Sequence, residues 1–286
     1  MRAIDMHCHP STKEFHEAFG RYVPGLQKAF NVDLTPKSEE AMADDFRRDG
    51  VMAMMIAWDA HEEAGLGRIS NDWVASLTEK YPDVFLPGWA VVDPWKGKAT
   101  LKELERAITE LGLKGAKFQP PAQAFEPHDR RFYPMWELLQ SLNAPVLIHS
   151  GTTGLGIGEP GGAGLKLRYG RPIPGIDDVA ADFPNLTIIS AHPSWPWVEE
   201  EIAMLVHKAN VFLDVSGWRP RYIPEALKRE INGRLQDKVL FGSDYPSFTS
   251  GKCLDELESE GYRPEVIEKL ALTTPIRVLG LEARVG

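Results

Sequence analysis

Eight short apolar runs, each followed by an amphipathic stretch, constrain this 286-residue chain more than any other feature. The runs fall at 2–6, 51–58, 85–92, 115–119, 145–149, 186–191, 211–215 and 238–242. Most are continuously apolar rather than alternating, as strands buried on both faces are. Between them apolar residues recur at helical spacing in 37–49, 71–81, 99–111, 132–143, 176–183, 197–209 and 223–235. Two more helical stretches, 264–272 and 274–279, close the chain. In 99–111 the stripe is Leu101, Leu104, Ile108 and Leu111, and Ser38 stands where it could cap the helix of 37–49. Strand–helix alternation predicts a parallel sheet, and eight such units predict an α/β architecture closed as a (β/α)8 TIM barrel. Barrels of this kind commonly reach this length, so 1–286 reads as a single domain. Two segments interrupt the pattern. A long insertion after the first strand, about 10–35, carries Phe15, Phe19, Tyr22 and Phe30 and reads as a loop. The segment 151–175 is glycine-rich, but no Gly-Lys-Ser/Thr follows, so it reads as an active-site loop rather than a phosphate cradle.

Composition narrows the class of partner. A formal net charge of -9 argues against a nucleic-acid or anionic-membrane surface. The longest apolar stretch, 51–58, is far too short to span a bilayer. Met1-Arg2-Ala3-Ile4-Asp5 already reads as a strand rather than a leader, and Cys8 and Cys253 are too far apart in sequence to form a disulfide framework. A cytoplasmic protein with a small-molecule substrate is the expectation.

The chemistry is concentrated where the strands end. In this architecture active sites form at the carboxyl ends of the strands. The first strand runs into His7-Cys8-His9, the fifth ends in His149, the sixth runs into His192, and the eighth into Asp244. Residues two apart on a strand face the same side, so His7 and His9 point together into the barrel and Cys8 points away. A single His-x-His pair is weak evidence, a lone strand-end histidine is more often structural, and Asp244 could merely cap a turn. The four positions together form a coherent donor set: His7, His9, His149 and Asp244 for one divalent metal. Zinc suits these ligands, and manganese, iron or cobalt fit the same donors. Such a metal lowers the pKa of bound water toward ~7. Asp244 would then take and return a proton, and His192 would orient water or polarise a carbonyl.

With these residues placed, the sequence resembles the amidohydrolase superfamily, in the branch that includes aminocarboxymuconate semialdehyde decarboxylase and related aromatic-acid decarboxylases, hydratases and hydrolases. The matching segments are Ile4-Asp5-Met6-His7-Cys8-His9, Lys114-Gly115-Ala116-Lys117-Phe118, Pro145 to Gly151, Ala191-His192-Pro193 and Leu240 to Pro246. The resemblance implies His7, His9, His149 and Asp244 as ligands of one metal and His192 as a catalytic residue beside it. It also implies a homodimer or larger homo-oligomer. In the decarboxylase subgroup the first position of the His-x-His pair is often Glu; this chain has His7 there. The expected activity is therefore metal-dependent hydrolysis or cleavage of a carbonyl-containing carboxylic acid or acyl derivative, an aromatic β-ketoacyl thioester being one candidate. Nonoxidative decarboxylation of an aromatic or unsaturated acid is the alternative. In binuclear members of the superfamily a strand-four lysine is carboxylated and bridges two metals. Lys117 occupies that position, and the reading favoured here is an unmodified lysine that contacts an anionic or carbonyl group of the substrate.

Further substrate contacts are expected from Arg168 and Tyr169 in the glycine-rich loop, where an arginine could hold an anionic group. Trp58, Trp95, Trp195, Trp197 and Trp218 all fall at or just beyond strand ends and predict an aromatic-walled pocket. Asp93 and Gln119 also end strands, and Asp93, before Pro94, reads as a turn residue first.

Overall fold

The protein is described by a computed structural model covering residues 1–285. Eight parallel strands form one sheet in chain order: β1 (Ala3–Cys8), β2 (Val51–Ile56), β3 (Phe85–Ala90), β4 (Gly115–Phe118), β5 (Val146–His149), β6 (Ile188–Ala191), β7 (Val211–Asp214) and β8 (Val239–Leu240). The register brings strand ends level: His149 pairs with Ala191, and Ala191 with Asp214. The seam between β8 and β1 is closed by backbone bonds from Met6 N to Phe241 O (3.1 Å), Asp244 N to His7 O (3.0 Å) and His9 N to Tyr245 O (2.7 Å). Asp5, fully buried in β1, reinforces it by accepting from Ser243 N at 3.0 Å and Ser250 Oγ at 2.6 Å. The fold is the expected (β/α)8 barrel.

The helices follow the apolar stripes. Glu39–Asp49 starts at Ser38, whose hydroxyl accepts from Ala41 N, and stops at Gly50 in the left-handed conformation. Lys98–Thr109 buries Thr100, Leu104 and Ala107 against the barrel. Pro264–Glu268 and Thr274–Leu279 close the chain, joined by a π turn at Lys269–Thr273. Among the described residues no helix is long and apolar enough to cross a membrane.

Three segments depart from the sequence pattern. The run 51–58 is not one strand: β2 ends at Ile56, and Trp58–Asp59 turns off the barrel to pair antiparallel with Arg68–Ile69. Asp59 holds that excursion through Arg68 (3.0 Å) and Lys96 (2.8 Å). The insertion is helical rather than a loop, with Lys13–Phe19 and Val23–Phe30. Phe15, Phe19, Val23 and Leu26 are its buried face, a spacing of three and four that aromatic loop residues disguise. Finally, no helix is expected over 250–259, yet Ser250–Ser259 is one. Its stripe of Cys253, Leu254 and Leu257 is short, and its opening Ser-Gly reads as a turn.

Candidate active site

The carboxyl ends of the strands surround a cavity of about 290 Å³. His7 Nε2 and His9 Nε2 lie 3.5 and 3.6 Å from Asp244 Oδ1, and these three donor atoms fall within 4.8 Å of one another. His7 and His9 reach the same side because they alternate along the end of β1, while Cys8 packs away from the cavity with its thiol on the Asp5 carbonyl. Asp244 is turned inward by a positive φ of 63°, and its amide bonds the His7 carbonyl across the seam.

His149 and His192 stand beside this trio. Their rings are 4.7 Å apart at the centroids, and His192 is 5.0 Å from His7. His149 falls outside the tight trio, but it lines the same cavity and its Nε2 is buried without a hydrogen-bond partner. His9 Nδ1 and Lys117 Nζ are likewise buried and unpaired. An unpaired buried polar atom costs ~1–3 kcal/mol, more if charged, so unpaired atoms on three residues that line one cavity call for a ligand.

Burial sets the protonation of the site. It drives His7, His149 and His192 well below the usual imidazole range, and His9 down to about 3, with the Lys117 charge adding to the effect in each case. Neutral imidazoles are the form that binds a metal. Burial also pulls Lys117 down, against the attraction of Asp214 and Asp244, and pushes Asp244 up, against the attraction of Lys117.

The orientation of His7 comes from a residue to which the sequence reading gave no role. Asp214, at the end of β7, sits 2.5 Å from His7 Nδ1 and is completely buried. Ser216 holds the carboxylate by its hydroxyl (2.7 Å) and its amide (2.9 Å). His7 therefore donates from Nδ1 and presents the Nε2 lone pair to the cavity, as carboxylate-backed metal histidines do. A Cβ at Gly242 would stand 2.4 Å from Asp214 Oδ1 and 2.8 Å from the His7 Cβ, so only glycine lets the three approach. The signal available in the sequence was an acid ending an otherwise apolar strand.

One wall of the cavity is apolar. Phe15, Phe19, Leu26 and Phe30 from the insertion face Trp58, Leu155 and Ile157; Trp195 and Trp218 form another part of the rim. Phe19 packs on Trp58 at 4.6 Å and on Phe15 at 4.4 Å, and His9 lies 5.7 Å from Phe19. Gln119 lines the cavity and donates to Thr153. Trp58, Lys117 and the four histidines thus meet as expected. Other expected contacts do not. Arg168 and Tyr169 lie outside the cavity lining: Arg168 is exposed, bonds the Tyr169 hydroxyl at 3.0 Å and pairs with Glu126 at 3.6 Å. The loop carries them outward after Gly164, so an arginine near the site in sequence is remote from it in space. Trp95 and Trp197 are also outside; Trp95 donates to the Gln123 carbonyl. Asp93 is a turn residue, accepting from Trp95 N and Glu62 N.

A parallel eight-stranded barrel with an imidazole–imidazole–carboxylate trio at its mouth defines a class of barrel enzyme. The amidohydrolase family model matches residues 4–281, and the chain belongs to that family. It is 27% identical over 257 residues to a 2-amino-3-carboxymuconate-6-semialdehyde decarboxylase from Dictyostelium discoideum, covering 80% of this chain and 68% of that protein. It is 29% identical over 136 residues to a 2-keto-4-carboxy-3-hexenedioate hydratase from Sphingobium, covering 43% of this chain and 38% of that one. Among solved structures, an uncharacterised TIM-barrel protein from Bordetella bronchiseptica superposes with a TM-score of 0.83 at 24% identity, covering 97% of this chain and 98% of its own.

Proposed function

We propose that this amidohydrolase-family enzyme is a mononuclear metal-dependent hydrolase of acyl or carbonyl compounds that carry an uncharged aromatic or apolar group. The observation that carries this reading is the pairing, in one cavity, of the His7–His9–Asp244 trio with an aromatic wall. The donor set fits a divalent cation: three converging ligand atoms, a fourth unpaired nitrogen on His149, and a carboxylate behind His7. Zinc or manganese is the ion of choice, and it would supply Lewis-acid polarisation of a substrate oxygen or of water.

The chain's own groups divide the remaining work. Burial raises the proton affinity of Asp244, which suits a group that takes and returns a proton. His192 is fixed by its Nδ1, which lies 2.8 Å from the Ser216 carbonyl and donates to it, leaving Nε2 to accept a proton or hydrogen bond. Lys117, unpaired and buried, donates to an oxygen of the substrate. The aromatic wall receives the apolar group and excludes water.

The two relatives are named for substrates with several carboxylates. Among the described residues that line this cavity, Lys117 is the sole fixed cation and none is an arginine. Beyond a carboxylate held by the metal or by Lys117, further carboxylates in such a cavity would be left without partners, which favours a substrate with few anionic groups. The second reading, decarboxylation, rests on the Dictyostelium relative. Turnover in H₂¹⁸O separates them. Incorporation of ¹⁸O into the product acid without carbon dioxide supports hydrolysis, and carbon dioxide release with no incorporation into the organic product overturns it in favour of the lyase. Metal analysis decides the nuclearity. About one ion per chain, lost in His7→Ala/His9→Ala, supports the site as described. Two ions would instead make Lys117 a carboxylated bridge.

A further inference from the structure

Behind the cavity, between the ends of β5 and β6, lies a polar cluster with no part in the chemistry proposed above. Glu201, in the first turns of the helix Val198–His207, is completely buried. Its Oε2 accepts from Ser194 Oγ at 2.6 Å and Ser190 Oγ at 3.0 Å. Ser150 Oγ lies 2.5 Å from Ser194 Oγ and 2.9 Å from Ser190 Oγ. The second carboxyl oxygen has no partner. Burying a carboxyl among three hydroxyls is an expensive way to fill space, and hydrophobic residues would do it at lower cost.

The positions of the three serines give the cluster a purpose. Ser150 directly follows His149. Ser190 and Ser194 stand two residues before and two after His192. The turn between them is unusual: His192 and Ser194 have φ values of 75° and 51°, in the left-handed region that non-glycine residues rarely occupy. Such conformations persist where surrounding contacts fix them. Glu201 Oε2 grips both ends of this turn, and through Ser150 it reaches the residue beside His149. The neighbouring backbone completes the brace: Ser150 N bonds the Ala191 carbonyl at 3.0 Å, and Thr152 N bonds the Trp195 carbonyl at 2.8 Å.

We propose that Glu201 is a positioning residue: its single oxygen clamps Ser190 and Ser194 across the His192 turn, and Ser150 extends the clamp to β5, so that His149 and His192 face the cavity. It touches neither substrate nor metal. The proposal rests on His149 being a metal ligand only in its first readout. Cobalt(II) is the probe, since its visible d–d bands report coordination. Glu201→Leu, close in size but unable to accept, should bind cobalt about ten- to hundredfold more weakly, with altered bands. Glu201→Gln, whose amide oxygen can accept both hydroxyls, should retain wild-type affinity and spectrum. If Glu201→Leu does not fold, Ser190→Ala/Ser194→Ala removes the same grip and should give the same loss. A folded Glu201→Leu or double-serine variant with wild-type affinity and bands overturns the clamp, and so does a Glu201→Gln that fails like Glu201→Leu. Absence of cobalt binding in the wild type would sink the metal reading alone. The clamp is then read from the ring ¹⁵N–¹H signals of His149 and His192, which should move in Glu201→Leu and not in Glu201→Gln; signals unmoved in both overturn it.

Discussion

At the scale of the residue, the site is a set of imidazoles whose usefulness depends on what lies behind each. His7 is the clearest case, because Asp214 fixes which of its nitrogens carries the proton. Asp214→Asn keeps the size but presents an amide that can donate to Nδ1, favouring the tautomer that protonates Nε2. Zinc affinity, measured by competition with a chelating dye, should fall about ten- to hundredfold with the fold intact; unchanged affinity would mean that the carboxylate does not select the tautomer. Gly217 makes a similar point about space. It has a φ of 73°, and a Cβ there would lie 2.6 Å from His192 Nδ1. Gly217→Ala should therefore abolish turnover while leaving metal content near one per chain, a separation that elemental analysis beside an activity assay would reveal. The residues that meet in the cavity were legible in the sequence, since His7, His9, Asp244, His149 and His192 fall at strand ends where side chains must converge. Asp214 and Glu201 were not: the partner of Asp214, His7, is far away in sequence, and Glu201 meets Ser190 and Ser194 only because the turn after β6 folds back onto its helix. Arg168 misled for the complementary reason, that proximity along a loop does not fix where the loop goes.

At the scale of the element, eight apolar runs located every barrel strand, because burial on both faces leaves a continuous apolar signature. Their ends were less legible, and β8 shrinks to Val239–Leu240 since Gly242 and Asp244 are given over to the site. The insertion is where the pattern and the structure part. Phe15, Phe19, Val23 and Leu26 form a buried helical stripe, and Phe15, Phe19 and Leu26 of it line the cavity. On the proposed reading, these two helices supply part of the wall that would meet the substrate's apolar group. Phe19 touches Phe15, Trp58 and the neighbourhood of His9, so Phe19→Ala removes the centre of the aromatic wall. Loss of a contact worth ~1.5–3 kcal/mol weakens binding roughly tenfold or more. Calorimetric titration with acetophenone, a carbonyl attached to an uncharged ring, should show that weakening. A titration that instead matches the wild type would remove the insertion from the substrate site.

At the scale of the whole molecule, the barrel is tied by buried carboxyls: Asp5 at the seam of β1 and β8, Asp214 behind His7, and Glu201 across the turn after β6. Each is pushed upward by burial, so each makes the folded state favour the protonated form. Glu201 can be isolated from the rest. Burial raises it from 4.5 to about 7, only partly offset by the bonds from Ser194 and Ser190. Between those two pH values the folded chain holds a proton that the unfolded chain has released, so stability falls as pH rises. The contribution of this group is fully present below pH 4.5 and lost above pH 7, a change of about 3 kcal/mol. Glu201→Gln cannot titrate and escapes that loss, while every other buried carboxyl is common to both proteins and cancels in the difference. Urea unfolding at pH 4.5 and pH 8 should therefore show the variant gaining on the wild type by about 3 kcal/mol across the interval. A difference that stays constant with pH would mean that the buried carboxyl is solvated or paired well enough to ionise normally, and that the clamp acts through an ordinary carboxylate.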